Sequence, residues 1–380
     1  MTQPDRRAFL KTLLAGALAG PACRRSSHTA TDLDPEANFK YQKLLVPENG
    51  LYTGAFIEFG DREDDVSLEK IDAFEQMVGK KQAIVASSSY WGEGTFPDAN
   101  LRLIARHGSI PLVYWSPWDR PYDEGMGPDR FSLTSIIAGD HDAYLDMWGD
   151  KARELAWPIM VSFANEMNGS WFPWSGAYYG GATPIPNTKP QQYEGPEIFK
   201  KAWRHVVDRV RSRNASNVIW VLHVMNFSDP NDKWNMAPNY YPGPDYVDWM
   251  GMSLYGSQFP ADKEWAPFPP LLDWPYTEIA SLDPKKPMML CEWGCAELPN
   301  LGDRAEWIRE AFRLMKDPLY HRLKAAVVWH ERWQNSDPDN APRYSNLRVN
   351  SSAAALEAYQ KGVADPYYLG EPQLAETKGR

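Results

Sequence analysis

Eight short apolar runs recur along the chain, at residues 54–59, 82–87, 110–115, 159–163, 218–223, 249–254, 288–291 and 325–329. Their near-continuous Val, Ile, Leu and Met character predicts strands buried on both faces, as in a parallel sheet. Between several of them the apolar positions recur at helical spacing. Residues 67–80 place Leu68, Ile71, Phe74 and Val78 on one face. Residues 197–213 do the same with Trp203, Val206, Val207 and Val210, and residues 303–316 with Trp307, Ile308, Ala311 and Leu314. Residues 352–360 supply a last helix after the eighth run. Gly-Pro, Asp-Pro and Lys-Pro pairs separate the units. Eight strand-helix units predict an α/β fold, a (β/α)8 TIM barrel spanning residues 50–362. The spacing is widest after strands three and four, so long loops gather on one rim.

The two ends read differently. Asp5-Arg6-Arg7-Ala8-Phe9-Leu10-Lys11 resembles a twin-arginine export motif, and an apolar stretch from Thr12 to Gly20 is too short to span a bilayer. Residues 1–25 therefore read as an export signal, and 26–49 as a polar leader. Cys23 stands in a poor lipobox, so membrane attachment, if any, is expected only through a lipid on that residue. Residues 363–380 read as a polar, frayed tail. The formal net charge of −10 disfavours nucleic acid and anionic membranes as partners and suits a neutral one. Cys291 and Cys295 leave the question of a disulfide open, and Cys-x3-Cys without a nearby histidine predicts no metal site. No cofactor is implied.

The stretch 158–174 carries the chemistry. A strand-like run breaks at Asn165-Glu166-Met167-Asn168-Gly169, and Trp171, Phe172 and Trp174 follow. Glu166 thus stands where strand becomes loop, the end of a parallel barrel at which active sites lie. Strict alternation would set it on one face with Ala164 and Ser162. Strand seven offers a second carboxylate, Glu292, sharing a face with Leu290 and Met288 and leaving Cys291 toward the helices. Two carboxyl groups converging on one mouth among tryptophans suit glycoside cleavage, with Glu166 as acid/base and Glu292 as nucleophile. The chain has 17 Trp and 19 Tyr, many beside Pro and Gly, as expected of a sugar-binding groove.

Glu166-Met167-Asn168-Gly169-x-Trp171-Phe172-x-Trp174 resembles the acid/base segment of glycoside hydrolase family 26, mannanase-type members of a clan of retaining (β/α)8 barrels. Tyr240 to Asp248 and Asn350 to Ala353 are similar to further segments of that family. The resemblance implies that Tyr255 holds the nucleophile, Trp171 lines the site beside the acid, and Trp329 forms a platform beneath the sugar. Trp174, Trp115 and Trp293 are further candidates for sugar contact, whereas His223 reads as a core histidine. Where the family's mannanases carry His, this chain has Asn165. The resemblance to the wider clan, in which an Asn at this position donates a hydrogen bond to the sugar 2-hydroxyl, implies a shift of weight from mannan toward a glucan or xylan. The function expected is an exported retaining endo-β-glycanase acting on a neutral polysaccharide. A barrel that binds glycan without cleaving it, and a transglycosylase, are the alternatives. A metal-dependent hydrolase is disfavoured because no His-x-His or His-Glu-x-x-His pattern occurs.

Overall fold

The structure is a computed structural model that describes residues 39, 41–59, 65–119, 127–335 and 343–376. The Arg6-Arg7 segment, Cys23 and most of the leader lie outside the described residues.

Eight parallel strands follow the eight apolar runs: β1 (Leu51–Ile57), β2 (Ile84–Tyr90), β3 (Ile110–Ser116), β4 (Ile159–Phe163), β5 (Val218–Met225), β6 (Trp249–Tyr255), β7 (Met288–Gly294) and β8 (Leu323–His330). Each pairs with its neighbour in sequence, and β1 also pairs with β8 through Tyr52↔Ala325 to Ile57↔His330, which closes the barrel. Closure leaves no edge, and every strand carries a buried inner and a buried outer face. That is why the runs are apolar throughout rather than alternating.

Helices follow the strands: α1 (Leu68–Val78), α2 (Asp98–His107), α3 (Leu133–Ala138), α4 (Asp142–Leu155), α5 (Glu194–Ser212), α6 (Phe268–Ala280), α7 (Arg304–Met315) and α8 (Ala353–Val363). Several start at side chains that accept orphan backbone N–H groups, namely Ser67 from Lys70, Asp303 from Glu306 and Ser352 from Ala355. Long loops follow β3 and β4, as the spacing predicts, with described residues 117–119, 127–132 and 164–193. The expectation of a helix in every unit fails after β5. There residues 226–248 hold three short 3-10 turns, Lys233–Asn235, Ala237–Tyr240 and Pro244–Tyr246. Pro230, Pro238, Pro242 and Pro244 deny this segment the N–H donors and the backbone freedom a helix needs. Helix α5 holds it instead, with Trp203 Nε1 donating to Tyr246 O at 3.0 Å and Arg204 Nε to Pro242 O at 2.8 Å.

The frayed tail is corrected as far as residue 376. Tyr368–Leu369 adds in parallel to the start of β1, and Leu374–Glu376 pairs antiparallel with Gln42–Leu44, drawing the end of the leader into the fold. Tyr368 is buried, with its hydroxyl donating to Phe312 O. The signal was present as Tyr367-Tyr368-Leu369, an apolar cluster within otherwise polar residues. Tyr368→Ala should therefore cost about 3–5 kcal/mol in urea unfolding, in the range of large aromatic truncations; a cost below about 1 kcal/mol would show that the tail is dispensable.

Candidate active site

Strand β4 ends at Phe163, one turn earlier than alternation through Glu166 requires. Ala164 and Glu166 both take left-handed backbone angles, φ 47° and 55°. Non-glycine residues held there cost about 1–3 kcal/mol each, so the neighbours must enforce the turn. They do so by stitching it to both adjacent strands: Ala164 N–H donates to Trp115 O at 3.1 Å and Glu166 N–H to His223 O at 2.8 Å. Trp174 Nε1 donates to Asn165 O at 2.7 Å. Buried Asn168 spends its amide on the end of β5, donating to Met225 O and Phe227 O and accepting from Met225 N at 2.8 Å. Gly169 has no side chain because a Cβ there would overlap the indole of Trp171. That indole folds back to donate from Nε1 to Glu166 Oε2 at 2.8 Å. Each residue type in the Glu-Met-Asn-Gly-x-Trp stretch, apart from Met167, thus has a mechanical reason.

Strand β7 reaches the same pocket by a different irregularity. Leu290 pairs with Met252 and Glu292 with Ser253, so Cys291 is the extra residue of a β-bulge. The bulge shifts the phase of the strand. Glu292 faces inward with Ser253 and does not share a face with Leu290 and Met288. Cys291 also turns inward rather than toward the helices. Its Sγ occupies the space that a Cβ on Gly251 would need, and Gly251 is in register with inward-facing His223. Tyr114 clamps the bulge from β3, its hydroxyl donating to Cys291 O at 2.8 Å. Burial raises the Cys291 thiol well above its usual range, and the charges of Glu292 and Glu166 add to the effect. Cys291 and Cys295 are both free thiols.

Glu166 is fully buried and Glu292 is 3% exposed. Oxygens of the two carboxyl groups and a ring nitrogen of His223 lie within 4.8 Å of one another. Tyr255 donates its hydroxyl to Glu292 Oε2 at 2.6 Å, a short, charge-assisted bond. His223 is the core histidine that the sequence suggests. It is buried and satisfied, with Nδ1 at 2.9 Å from Ser162 Oγ and Nε2 at 2.7 Å from Ser253 Oγ, and it also stands between the two glutamates. Both ring nitrogens being engaged by hydroxyls, the ring has no lone pair to spare for a cation here. Trp329 lies flat on Phe56, centroids 3.9 Å apart and planes 8° apart, and its Nε1 donates to Glu331 Oε2 at 2.8 Å. Through Tyr114, 6.0 Å from Trp329 and 5.9 Å from His223, this stack joins the same interior face.

The other aromatic candidates divide. Trp171 touches Glu166, as described. Trp174 is buried and acts on Asn165 through its backbone bond, stacked on Phe172 at 4.6 Å. Trp115 does not line the site: it points outward, stacked on Trp148 at 4.4 Å, with Nε1 donating to Tyr144. Trp293 likewise lies under the helices, between Trp307 and Tyr359 at 6.0 and 6.1 Å. Each follows an inward-facing residue, Tyr114 and Glu292, and so turns outward. Asn165 is 6% exposed, and its side-chain amide has no hydrogen-bond partner among the described residues.

The bulge and Gly251 form one unit that can be tested by stability. Gly251→Ala should destabilise the protein by about 1–3 kcal/mol through overpacking. The same substitution in a Cys291→Ala background should cost clearly less. Equal costs in the two backgrounds, measured by urea unfolding, would separate Gly251 from the bulge.

Comparison with known proteins bears on this geometry. Residues 137–267 match the family model described as glycosyl hydrolase family 26. The chain is 28% identical over 326 residues to Endoglucanase H of Acetivibrio thermocellus, covering 85% of this chain and 31% of that one. It is 23% identical over 279 residues to a mannan endo-1,4-beta-mannosidase of Bacillus subtilis, covering 64% of this chain and 70% of that one. This chain thus spans about a third of the length of the endoglucanase. Among solved structures, a modular endo-beta-1,4-mannanase from Cellulomonas fimi superposes with a TM-score of 0.58 at 20% identity, over 85% of this chain and 72% of that one. That likeness shows the shared barrel. The family-model match and the curated relatives thus make the chain similar to glycosyl hydrolase family 26 across its central region.

Proposed function

We propose that this protein is a retaining endo-β-glycanase that hydrolyses internal β-glycosidic bonds of a neutral polysaccharide by double displacement. The observation that carries the proposal is the meeting of Glu166 and Glu292 in one buried pocket, carboxyl oxygens within 4.8 Å. That spacing suits retaining enzymes, at about 5–5.5 Å, and not inverting ones, at about 6.5–9.5 Å. In the first step the Glu292 carboxylate attacks the anomeric carbon while Glu166 gives its proton to the glycosidic oxygen, which departs as an alcohol. In the second, Glu166 takes a proton from water, the oxygen of that water attacks the same carbon, and Glu292 is released. The indole N–H of Trp171 holds Glu166 Oε2 in place through both steps. Tyr255 fixes the attacking oxygens. Trp329, laid on Phe56, offers the flat face on which a sugar ring rests.

Asn165 supports a glucan or xylan over mannan, since its amide is available to a sugar 2-hydroxyl. The likeness to Endoglucanase H favours a β-glucan in the same direction, although other relatives carry mannan in their names. Reducing-end release from a panel of galactomannan, mixed-linkage glucan, xylan and β-1,3-glucan tests the reading, beside Glu166→Ala. Activity on a glucan or xylan that is lost in the variant is expected. Isothermal binding without release would favour a glycan-binding barrel instead. We also read residues 1–25 as an export signal, on the strength of Arg6-Arg7 and the short apolar stretch.

Two variants separate the roles. Glu292→Ala should abolish turnover, and azide should restore it with a product of inverted configuration; restoration with retained configuration would remove Glu292 as nucleophile. Tyr255→Phe should lower kcat about 10- to 100-fold, as expected for loss of one bond to a charged group, and leave KM nearly unchanged. A rise in KM at constant kcat would assign Tyr255 to binding.

A further inference from the structure

A second group of ligating side chains lies at the opposite end of the barrel. Asp72 and Glu75 project from α1, and His107 is the last residue of α2, just before β3. The His107 side chain is 9% exposed, Glu75 11% and Asp72 64%. The hydrogen bonds fix the ring. Ser109 Oγ has one proton, and it goes to Gln82 O at 2.6 Å. Its contact with His107 Nδ1, at 2.9 Å, is therefore a bond donated by the ring. Nε2 is left aimed between two carboxylate oxygens, 3.3 Å from Glu75 Oε2 and 3.7 Å from Asp72 Oδ1. It forms a hydrogen bond with neither among the described residues. Glu75 is itself held, its Oε1 accepting from Gln82 N at 2.7 Å.

An imidazole nitrogen pointing into the gap between two carboxylates is the arrangement that a cation in that gap would join. Ligand bonds of about 2.0–2.2 Å in a tetrahedron set neighbouring donors about 3.3–3.6 Å apart, close to the two spacings seen. Both ligands with little exposure have an outer partner that orients them, as metal ligands do. A neutral ring and two carboxylates balance a divalent charge. The imidazole favours a first-row transition ion over calcium or magnesium. We infer that His107, Glu75 and Asp72 form a binding site for a Zn2+-class cation, completed by water, which clips α1 to α2 at the base of the barrel. The site is independent of the glycosidase chemistry.

The test uses the full chain after chelator treatment, titrated with Zn2+ and followed by bound metal and Tm. About one equivalent should bind, with a rise of about 3–5 °C at a hundredfold excess over Kd. Asp72→Asn, at an exposed position that should not disturb folding, should weaken binding at least tenfold, and His107→Gln should abolish it. Glu292→Ala should leave binding and the Tm rise intact, which separates this group from the catalytic one. No bound metal, or a Tm rise unchanged in Asp72→Asn and His107→Gln, would overturn the site and leave an imidazolium paired with two carboxylates.

Discussion

Two carboxyl groups buried within 4.8 Å of each other set the terms for the rest of this molecule. Like charges so close, away from water, repel strongly, and each desolvated carboxylate needs donors to hold it. Among the described residues those donors include aromatic side chains, Trp171 for Glu166 and Tyr255 for Glu292. An indole N–H or a phenol O–H brings a directed bond on a rigid ring and adds no full charge. A lysine or arginine in the same place would set a full positive charge beside the carboxylate. The aromatic clamp thus fixes the geometry of each carboxyl group without adding a full charge.

The two glutamates reach this meeting point by breaking the strand pattern. On β4 a turn with two left-handed residues lifts Glu166 off the strand, and on β7 a bulge at Cys291 brings Glu292 inward. Both irregularities are held by neighbouring strands, through His223 O and Trp115 O in one case and the Tyr114 hydroxyl in the other. The small residues follow from them: Gly169 makes room for the indole of Trp171, and Gly251 for the sulfur of Cys291. Strain at the mouth is possible because the closed barrel beneath is regular and cannot yield.

The regular part was legible. Strands buried on both faces announce themselves as apolar runs, and all eight were found to within a few residues. The meeting of Glu166 and Glu292 was legible too, because both stand at the ends of strands that face one mouth of the barrel. What failed was the extrapolation of period-two alternation across the ends of the strands. It put Glu292 with Leu290 and turned Cys291 to the helices. A bulge depends on packing between strands distant in sequence, and here on Gly251 and Tyr114. No local pattern around residue 291 records it. His223 reads from the sequence as a core histidine, and nothing local to it signals that its ring also lies within 4.8 Å of the two carboxyl groups.

The abundance of tryptophan had a different meaning from the one composition suggested. Trp91, Trp115, Trp148, Trp174, Trp203, Trp220 and Trp307 are among the largest fully buried side chains. They fill the layer between barrel and helices, as Trp115 does against Trp148 and Trp293 against Trp307. Some of these indoles donate to loop carbonyls, Trp203 to Tyr246 O, Trp307 to Ala266 O and Trp174 to Asn165 O, whereas those of Trp91, Trp148, Trp220 and Trp293 have no hydrogen-bond partner among the described residues. A leucine core would pack as well but would leave those carbonyls to find other donors. Buried indoles therefore tie the long rim loops to the scaffold. The same property that fixes Asn165 beside Glu166 also fixes the segment after β5. Trp171, which bonds Glu166, is one member of a set in which several indoles tie irregular loops to the barrel that bears them.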